Sequence, residues 1–172
     1  DVDAVLEALP RSTAMMGVPT FYIRLLKEPR FTAELVSHMR LIISGSAPLS
    51  ADIHREFSAR TGHAILERYG MTETNMNTSN PYDGDRIAGT VGLPLPGVSI
   101  RIADPETGVV LSQGEIGVIE IAGPNVFKGY WQMPEKTAAE FRGEYFISGD
   151  LGLIDGKGYV SIVGRAKDLI IS

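Results

Sequence analysis

The sequence predicts an α/β fold in two parts: part of a parallel sheet flanked by helices, followed by a small β-barrel-like subdomain. Up to about residue 80, apolar runs alternate with segments of helical period. Strand, loop, helix, strand in that order brings successive strands side by side in parallel. Further on, apolar residues recur at every second position between glycine turns, the pattern of short strands in a curled sheet or barrel. Glycine and proline cluster in "GTVGLPLPG", which places the boundary between residues 1–88 and 89–168.

Each element has a local reason. Asp3 is placed to cap a short helix carrying Val5, Leu6 and Leu9, which Pro10 ends. Thr20 precedes "FYIRLLKE", in which Phe21, Leu25 and Leu26 are assigned to one helical face. "MRLIISG" reads as a buried strand broken by Ser44-Gly45. Ser50 then caps "ADIHREFSARTG", with Asp52 in the first turn, Ile53 and Phe57 one turn apart, and Gly62 as the stop. "HAILERY" is the next strand. In the second part, "VSIRIAD" sets Val98, Ile100 and Ile102 on one face, and "EIGVIEIAG" does the same with Gly117, Ile119 and Ile121. "DPETG" and "DGKG" supply turns, and Pro134 suits the first turn of a short helix in "PEKTAAEF".

Composition narrows the function. The chain has 172 residues, 44% hydrophobic and 22% charged, ordinary values for a globular protein. A net charge of −5 gives no reason to expect nucleic acid or an anionic membrane as partner. With no cysteine, disulfides, thiolate chemistry and thiolate metal sites are excluded, which fits a reducing, cytoplasmic setting. No apolar stretch approaches the length of a membrane span, and no signal peptide opens the chain. The sequence begins at Asp1 without a methionine and stops within "KDLIIS", so an internal piece of a longer protein is expected.

Four glycine-bearing loops can carry chemistry. "SGSAPLS", residues 44–50, leaves a strand and enters a helix whose free N–H groups can meet an anion or a ring edge; it also reads as a plain strand-to-helix turn. In "ERYGMTETN", residues 67–75, Gly70 permits a sharp turn and Tyr69 can offer its ring face to a planar base. Thr72 adds a hydroxyl there, and Glu73 a hard oxygen ligand suited to Mg²⁺ bridging phosphates. A polar loop is the alternative reading. Both stretches follow strands, and ligands of open parallel sheets collect beyond the carboxyl ends of strands. In "YFISGDLGLID", Asp150 can accept both hydroxyls of a ribose, or simply form an Asp turn. In "VGRAKDLIIS", Arg165 can bind phosphate or ribose oxygens, or be a surface arginine.

Taken together and in this order, "SGSAPL", "ERYGMTE", "YFISGD" and "GRAKDLI" resemble the adenylate-forming superfamily of acyl-CoA synthetases, peptide-synthetase adenylation domains and luciferases. "GTVGLPLPG" and "GYWQMPEKT" are also typical of it. The resemblance implies an acid–thiol ligase that uses ATP, Mg²⁺ and, as co-substrate, coenzyme A. It implies an ATP site drawn from Gly45, Ser46, Ala47, Glu67, Arg68, Tyr69, Gly70, Met71, Thr72, Asp150 and Arg165. Thr72 and Glu73 are the implied catalytic pair, with Glu73 holding the metal, and Asp168 is the implied hinge before residues 169–172. "GVPTFYIRLL" with "ERYGMTETNM" is most similar to malonyl-CoA synthetases. For a dicarboxylic acid such as malonate or methylmalonate, Arg24 is the candidate cation for the distal carboxylate, with Ser44, Gly45 and Arg68 beside it. Alternatives are a synthetase for another short or aromatic acid, with Arg24 on a solvated face, or a non-catalytic nucleotide-binding module. The family's Ser/Thr/Gly-rich phosphate loop and its lysine-bearing C-terminal domain have no match in this chain. The chain alone is therefore expected to be inactive without the missing N- and C-terminal parts of the same protein.

Overall fold

The computed structural model describes residues 1–167 in full and the main chain of Asp168. Two compact units divide the chain: Asp1–Arg68 with Asn80–Gly89, and Tyr69–Ser79 with the chain from Thr90 onward.

The first unit is a parallel sheet flanked by helices. Helix α1 (Val2–Ala8) is capped by Asp1, whose carboxylate accepts from the Asp3 N–H, so Asp3 lies inside the helix and is not its cap. Pro10 does not end the chain's winding. It falls at the start of a 3₁₀ turn, Leu9–Arg11, where its missing N–H is not needed. Strand β1 (Ala14–Gly17) and helix α3 (Ala33–Val36) are too short to show a period and left no sequence signal. Helix α2 (Pro19–Leu26) turns Tyr22, Leu25 and Leu26 inward, a proper i, i+3, i+4 set. Phe21, expected on that face, is 40% exposed. Tyr22 takes its place because its hydroxyl donates to the Ile43 main-chain oxygen.

Strand β2 (Leu41–Ser44) leads to helix α4 (Ala51–Thr61), capped as expected by Ser50, which accepts the Ile53 N–H at 3.3 Å. Gly62 closes α4 in the left-handed region at φ 78°, where glycine carries no Cβ penalty. Strand β3 (Leu66–Met71) pairs in parallel with β2, and β2 with β1. Their register sets Gly17, Ser44 and Glu67 level, so β1 and β2 end side by side while β3 runs on to Met71. Behind the sheet, Phe57 meets Tyr22 edge-on at 5.4 Å and Phe31 at 5.6 Å. Arg60 donates to the main-chain oxygens of Glu28 and Phe31, and to that of Leu26 at the end of α2, where a cation opposes the helix dipole.

The second unit holds the last residues of β3 and the strands β4 (Asn75–Ser79) and β5 (Leu93–Pro94), the latter two antiparallel. It continues through β6 (Ser99–Ala103), β7 (Gly117–Ala122), α5 (Pro134–Ala139), β8 (Phe141–Arg142), β9 (Tyr145–Ile154) and β10 (Val160–Arg165). The antiparallel order is β10-β9-β7-β6, with β8 beside β9. Register breaks in the β9–β10 and β7–β9 ladders curl this sheet. Ile102, Ile119, Ile121 and Val160 pack on its inner face with Tyr69 and Val91.

Gly70 is not at a turn. It lies within β3, and a Cβ there would come 2.1 Å from the Asn75 main-chain oxygen, so glycine is required by the close approach of the two hairpin strands. The turn itself is Thr72–Thr74, closed by the Thr74 N–H on the Met71 oxygen at 3.2 Å.

On β7, the face opposite Ile119 and Ile121 carries Glu120, fully buried. Its carboxylate accepts from Arg101 Nε at 2.7 Å on β6 and from Arg142 on β8. The Arg101 guanidinium in turn lies 3.8 Å over the Tyr145 ring. Replacing Glu120 by Ala leaves two cations facing each other across an emptied site. We expect a loss of about 3 kcal/mol, read as a lower denaturant midpoint of the protein.

Candidate functional site

The candidate residues fall into two groups, one in each unit, joined by the step from Arg68 to Tyr69 along β3. In the first unit, the chain leaves β2 at Ser44 and passes through Gly45, Ser46 and Ala47 before α4. Ser44 is buried, and among the described residues its hydroxyl has no hydrogen-bond partner. Gly45 is buried beside the Arg68 stem, its Cβ direction 3.5 Å from Arg68 Cγ. Ser46 and Ala47 are exposed at the loop tip, and Ser46 takes φ 68°, a left-handed conformation uncommon outside glycine. The loop thus leaves the sheet where β1 and β2 end level.

Arg68 is half-buried, and its Nη2 meets the Met16 sulfur at 3.1 Å. Arg24 is exposed on α2, with Tyr22, Leu25 and Leu26 on the covered side. Glu67, expected among the nucleotide-binding residues, turns its carboxylate into the unit. It pairs with His54 Nδ1 at 2.9 Å, both side chains buried. Burial holds the Glu67 carboxyl above the usual carboxylate range, against the lowering effect of His54. Its main-chain oxygen accepts from Asn80 N–H at 2.9 Å. His54 gave no functional signal in the sequence; only its place on the inner face of α4, three residues before Phe57, hints at burial.

In the second unit, three separate motifs converge on one carboxylate. Tyr69 donates its hydroxyl to Asp150 Oδ2 at 2.5 Å, and Arg165 Nε lies 2.8 Å from Asp150 Oδ1. Arg165 and Asp150 are also register partners across β10 and β9. Tyr69 is only 8% exposed and packs into the unit's core, so its ring is less open than a free stacking platform would be. Burial, and then the Asp150 charge, push its phenol up well beyond the ordinary range.

Asp150 reaches this position through a bulge. Between the pairs Val118↔Leu151 and Glu120↔Ile147, β7 has one residue, Ile119, while β9 has three, Ser148 to Asp150. Gly149 takes φ 73° there, which accounts for the glycine of "SGD". Ser148 fixes the bulge by donating to the Ile119 oxygen at 2.7 Å and accepting the Asp150 N–H at 3.1 Å. The sequence reading gave Ser148 no role.

The Thr72–Thr74 turn carries the remaining candidates. Met71 is half-buried, with its sulfur 3.8 Å from the Tyr69 hydroxyl. Thr72 is exposed and Glu73 half-exposed. The Glu73 main-chain oxygen accepts from the Phe127 N–H at 2.7 Å, and its Oε1 lies 3.2 Å from the Tyr130 hydroxyl. No group of three or more His, Cys, Asp or Glu side chains among the described residues can cage a metal. A lone carboxylate beside a free hydroxyl fits a hard cation that takes its other ligands from phosphates and water, as Mg²⁺ does. Asp168 ends a 3₁₀ turn, and the expected hinge beyond it, residues 169–172, lies outside the described residues.

Comparison with known proteins identifies the family. A family model described as AMP-binding enzyme matches residues 2–131. A malonate–CoA ligase of Arabidopsis thaliana is 41% identical over 162 residues, 89% of this chain and 26% of that protein. A feruloyl-CoA synthase of an Amycolatopsis species is 39% identical over 177 positions, covering 100% of this chain and 35% of that one. Among solved structures, ATP-bound MatB from Rhodopseudomonas palustris matches with a TM-score of 0.97 and 68% identity, over 99% of this chain and 34% of that chain. A malonyl-CoA ligase complex with methylmalonyl-CoA and AMP matches with a TM-score of 0.85 and 42% identity, over 99% and 38%. The chain spans about a quarter to two-fifths of the length of these relatives. With a family model covering most of its length, the chain belongs to the AMP-binding enzyme family.

Proposed function

We propose that the complete protein is an ATP-dependent carboxylic acid–CoA ligase acting on malonate or methylmalonate. The observation that carries this is the meeting of Tyr69 and Arg165 on the Asp150 carboxylate, which fixes three motif residues for a nucleotide. In the first half-reaction a carboxylate oxygen of the acid bonds to the α-phosphorus of ATP, the bond to the bridging oxygen breaks, and pyrophosphate leaves. In the second, the coenzyme A sulfur bonds to the acyl carbon and AMP leaves. Such chemistry asks for positioning and charge neutralisation more than covalent help.

The residues divide that work. Asp150 takes ribose hydroxyls through its outer lone pairs while Tyr69 and Arg165 hold it in place; Arg165 also reaches ribose or phosphate oxygens. Nucleotide contacts are assigned to Gly45, Ser46, Ala47, Glu67 and Arg68 in the first unit and to Tyr69, Gly70 and Met71 in the second. Thr72 contacts phosphate. Mg²⁺, held by Glu73, neutralises phosphate charge when bound. In this reading residues 1–88 and 89–168 are two parts of one AMP-binding large domain, and Asp168 opens the hinge to a further domain. The phosphate loop and the adenylation lysine lie elsewhere in the protein, so this chain alone runs neither half-reaction. No helix among the described residues is long and apolar enough to cross a membrane. A cytoplasmic setting is proposed from the absence of cysteine in the sequence, which fits a reducing compartment.

The acid is chosen by fewer groups. Arg24 or Arg68 supplies the cation for a distal carboxylate, and the unpartnered Ser44 hydroxyl a hydrogen bond. The exposure of Arg24 favours a second reading, an aromatic or other short acid with Arg24 in solvent.

Pyrophosphate exchange by the complete protein is expected to depend on malonate, and the isolated chain should give none. Exchange supported equally by aromatic acids would overturn the choice of substrate. Arg24→Leu should raise the malonate KM about a hundredfold, the ~3 kcal/mol of a lost charge-assisted hydrogen bond, while the ATP KM stays put. An unchanged malonate KM moves the role to Arg68. Tyr69→Phe removes only the hydroxyl that holds Asp150, and should weaken ATP about tenfold in direct binding, corresponding to ~1.5 kcal/mol.

A further inference from the structure

The loop after β7 braces the Thr72–Thr74 turn at several points. Asn125 Nδ2 donates to the main-chain oxygens of Thr74 at 2.7 Å and Met76 at 3.3 Å, and Asn75 Nδ2 donates back to the Asn125 oxygen at 3.0 Å. Phe127 N–H pins the Glu73 main chain at 2.7 Å. One contact reaches the reactive end of the turn. The Tyr130 hydroxyl sits between two carboxylates, 3.2 Å from Glu73 Oε1 and 3.2 Å from Glu140 Oε2. Its ring is fixed from two sides, edge-on to Phe127 at 4.9 Å and under the Lys136 ammonium at 4.2 Å. The Tyr130 N–H is held as well, by Thr137 Oγ1 at 2.9 Å.

A phenol has one proton to give. Between two carboxylates it satisfies one and leaves the other to find a different partner. From this geometry we infer that Tyr130 is the positioning residue of the Mg²⁺ site, aiming the Glu73 carboxylate, with Glu140 as the second acceptor. With Glu73 free of metal, the hydroxyl donates to Glu73 and keeps its carboxylate from swinging off the exposed turn. A cation held by the other oxygen of Glu73 would leave this hydrogen bond to Oε1 in place, so the tyrosine would brace the carboxylate in both states. Glu140, on the far side of the hydroxyl, holds the phenol in place and adds negative charge near the cation. Partners behind a ligating carboxylate typically change metal affinity ten- to a hundredfold. The inference rests on Glu73 being the metal ligand.

The test uses the complete protein with Mn²⁺ as a spectroscopic stand-in for Mg²⁺. Mn²⁺ binding to the ATP complex is read by electron paramagnetic resonance, and metal-free ATP binding by calorimetry. Tyr130→Phe keeps the ring, its Phe127 contact and its place under Lys136. It should weaken Mn²⁺ about tenfold while metal-free ATP binding and thermal stability hold. Glu140→Gln should lower Mn²⁺ affinity more mildly, because negative charge near the cation is lost. Glu73→Gln separates the two levels of argument. If Glu73→Gln leaves Mn²⁺ affinity intact, the metal role of Glu73 fails and the inference with it. If Glu73→Gln weakens Mn²⁺ but Tyr130→Phe does not, Tyr130 is only a packing residue. Equal loss of metal-free ATP binding in Tyr130→Phe would also overturn a role specific to the metal.

Discussion

A carboxylate sealed from water needs a donor on each oxygen, and the second unit is arranged around meeting that need at Asp150. At 6% exposure Asp150 takes Tyr69 on one oxygen and Arg165 on the other. The first partner stands near the end of β3 and the second at the end of β10, so one side chain ties together parts of the chain far apart in sequence. The demand propagates outward. β9 must bulge at residues 148–150 to aim the carboxylate, Gly149 must take a positive φ to make the bulge, and Ser148 must fasten it to β7. The buried phenol of Tyr69 stays protonated throughout, which is what lets it act as a donor.

The same logic separates what could be read in the sequence from what could not. Helix α4 was legible because its stop and start are written locally: Ser50 supplies the cap oxygen and Gly62 the left-handed exit. Strands β6 and β7 were legible from alternation alone. The role of Gly70 was not. A glycine after a strand reads as a turn, whereas the cause here is the oxygen of Asn75 on the returning strand, a neighbour that exists only once the hairpin has paired. The inner face of α2 was misread by one residue, because the choice between Phe21 and Tyr22 is made by the Ile43 oxygen on another strand. Glu67 stood within the most telling motif and yet faces His54, because alternation along a strand sends adjacent side chains to opposite faces. The motif residues themselves were legible in kind; their hydrogen-bond partners, Ser148 and Tyr130 among them, were supplied by chain segments with no motif of their own.

This asymmetry has a functional meaning. The second-unit groups proposed to bind the nucleotide are held before any ligand arrives: Asp150 by two donors, the Glu73 main chain by Phe127, the turn by Asn125. Preorganisation of that kind lowers the cost of ordering on binding, and it suits a ligand common to every member of a family. The first-unit groups proposed to select the acid are less committed. The Ser44 hydroxyl is buried with no hydrogen-bond partner among the described residues, and Arg24 stands in solvent on α2.

A buried polar atom without a partner costs free energy unless a ligand completes it, and it discriminates strongly against ligands that cannot. In the proposed function, Ser44 would therefore do more to define the acid than its size suggests. It stands in register with Gly17 and Glu67 at the carboxyl end of β2, and parallel sheets collect ligands beyond such strand ends. Its neighbour Gly45 lies against the Arg68 stem, so a hydroxyl donor and a cation lie near the same strand end. In the proposed reading, a second carboxylate would accept from this hydroxyl, whereas an apolar chain would leave it unsatisfied. Under the proposed function, a dicarboxylic acid would meet a cost already present in the fold.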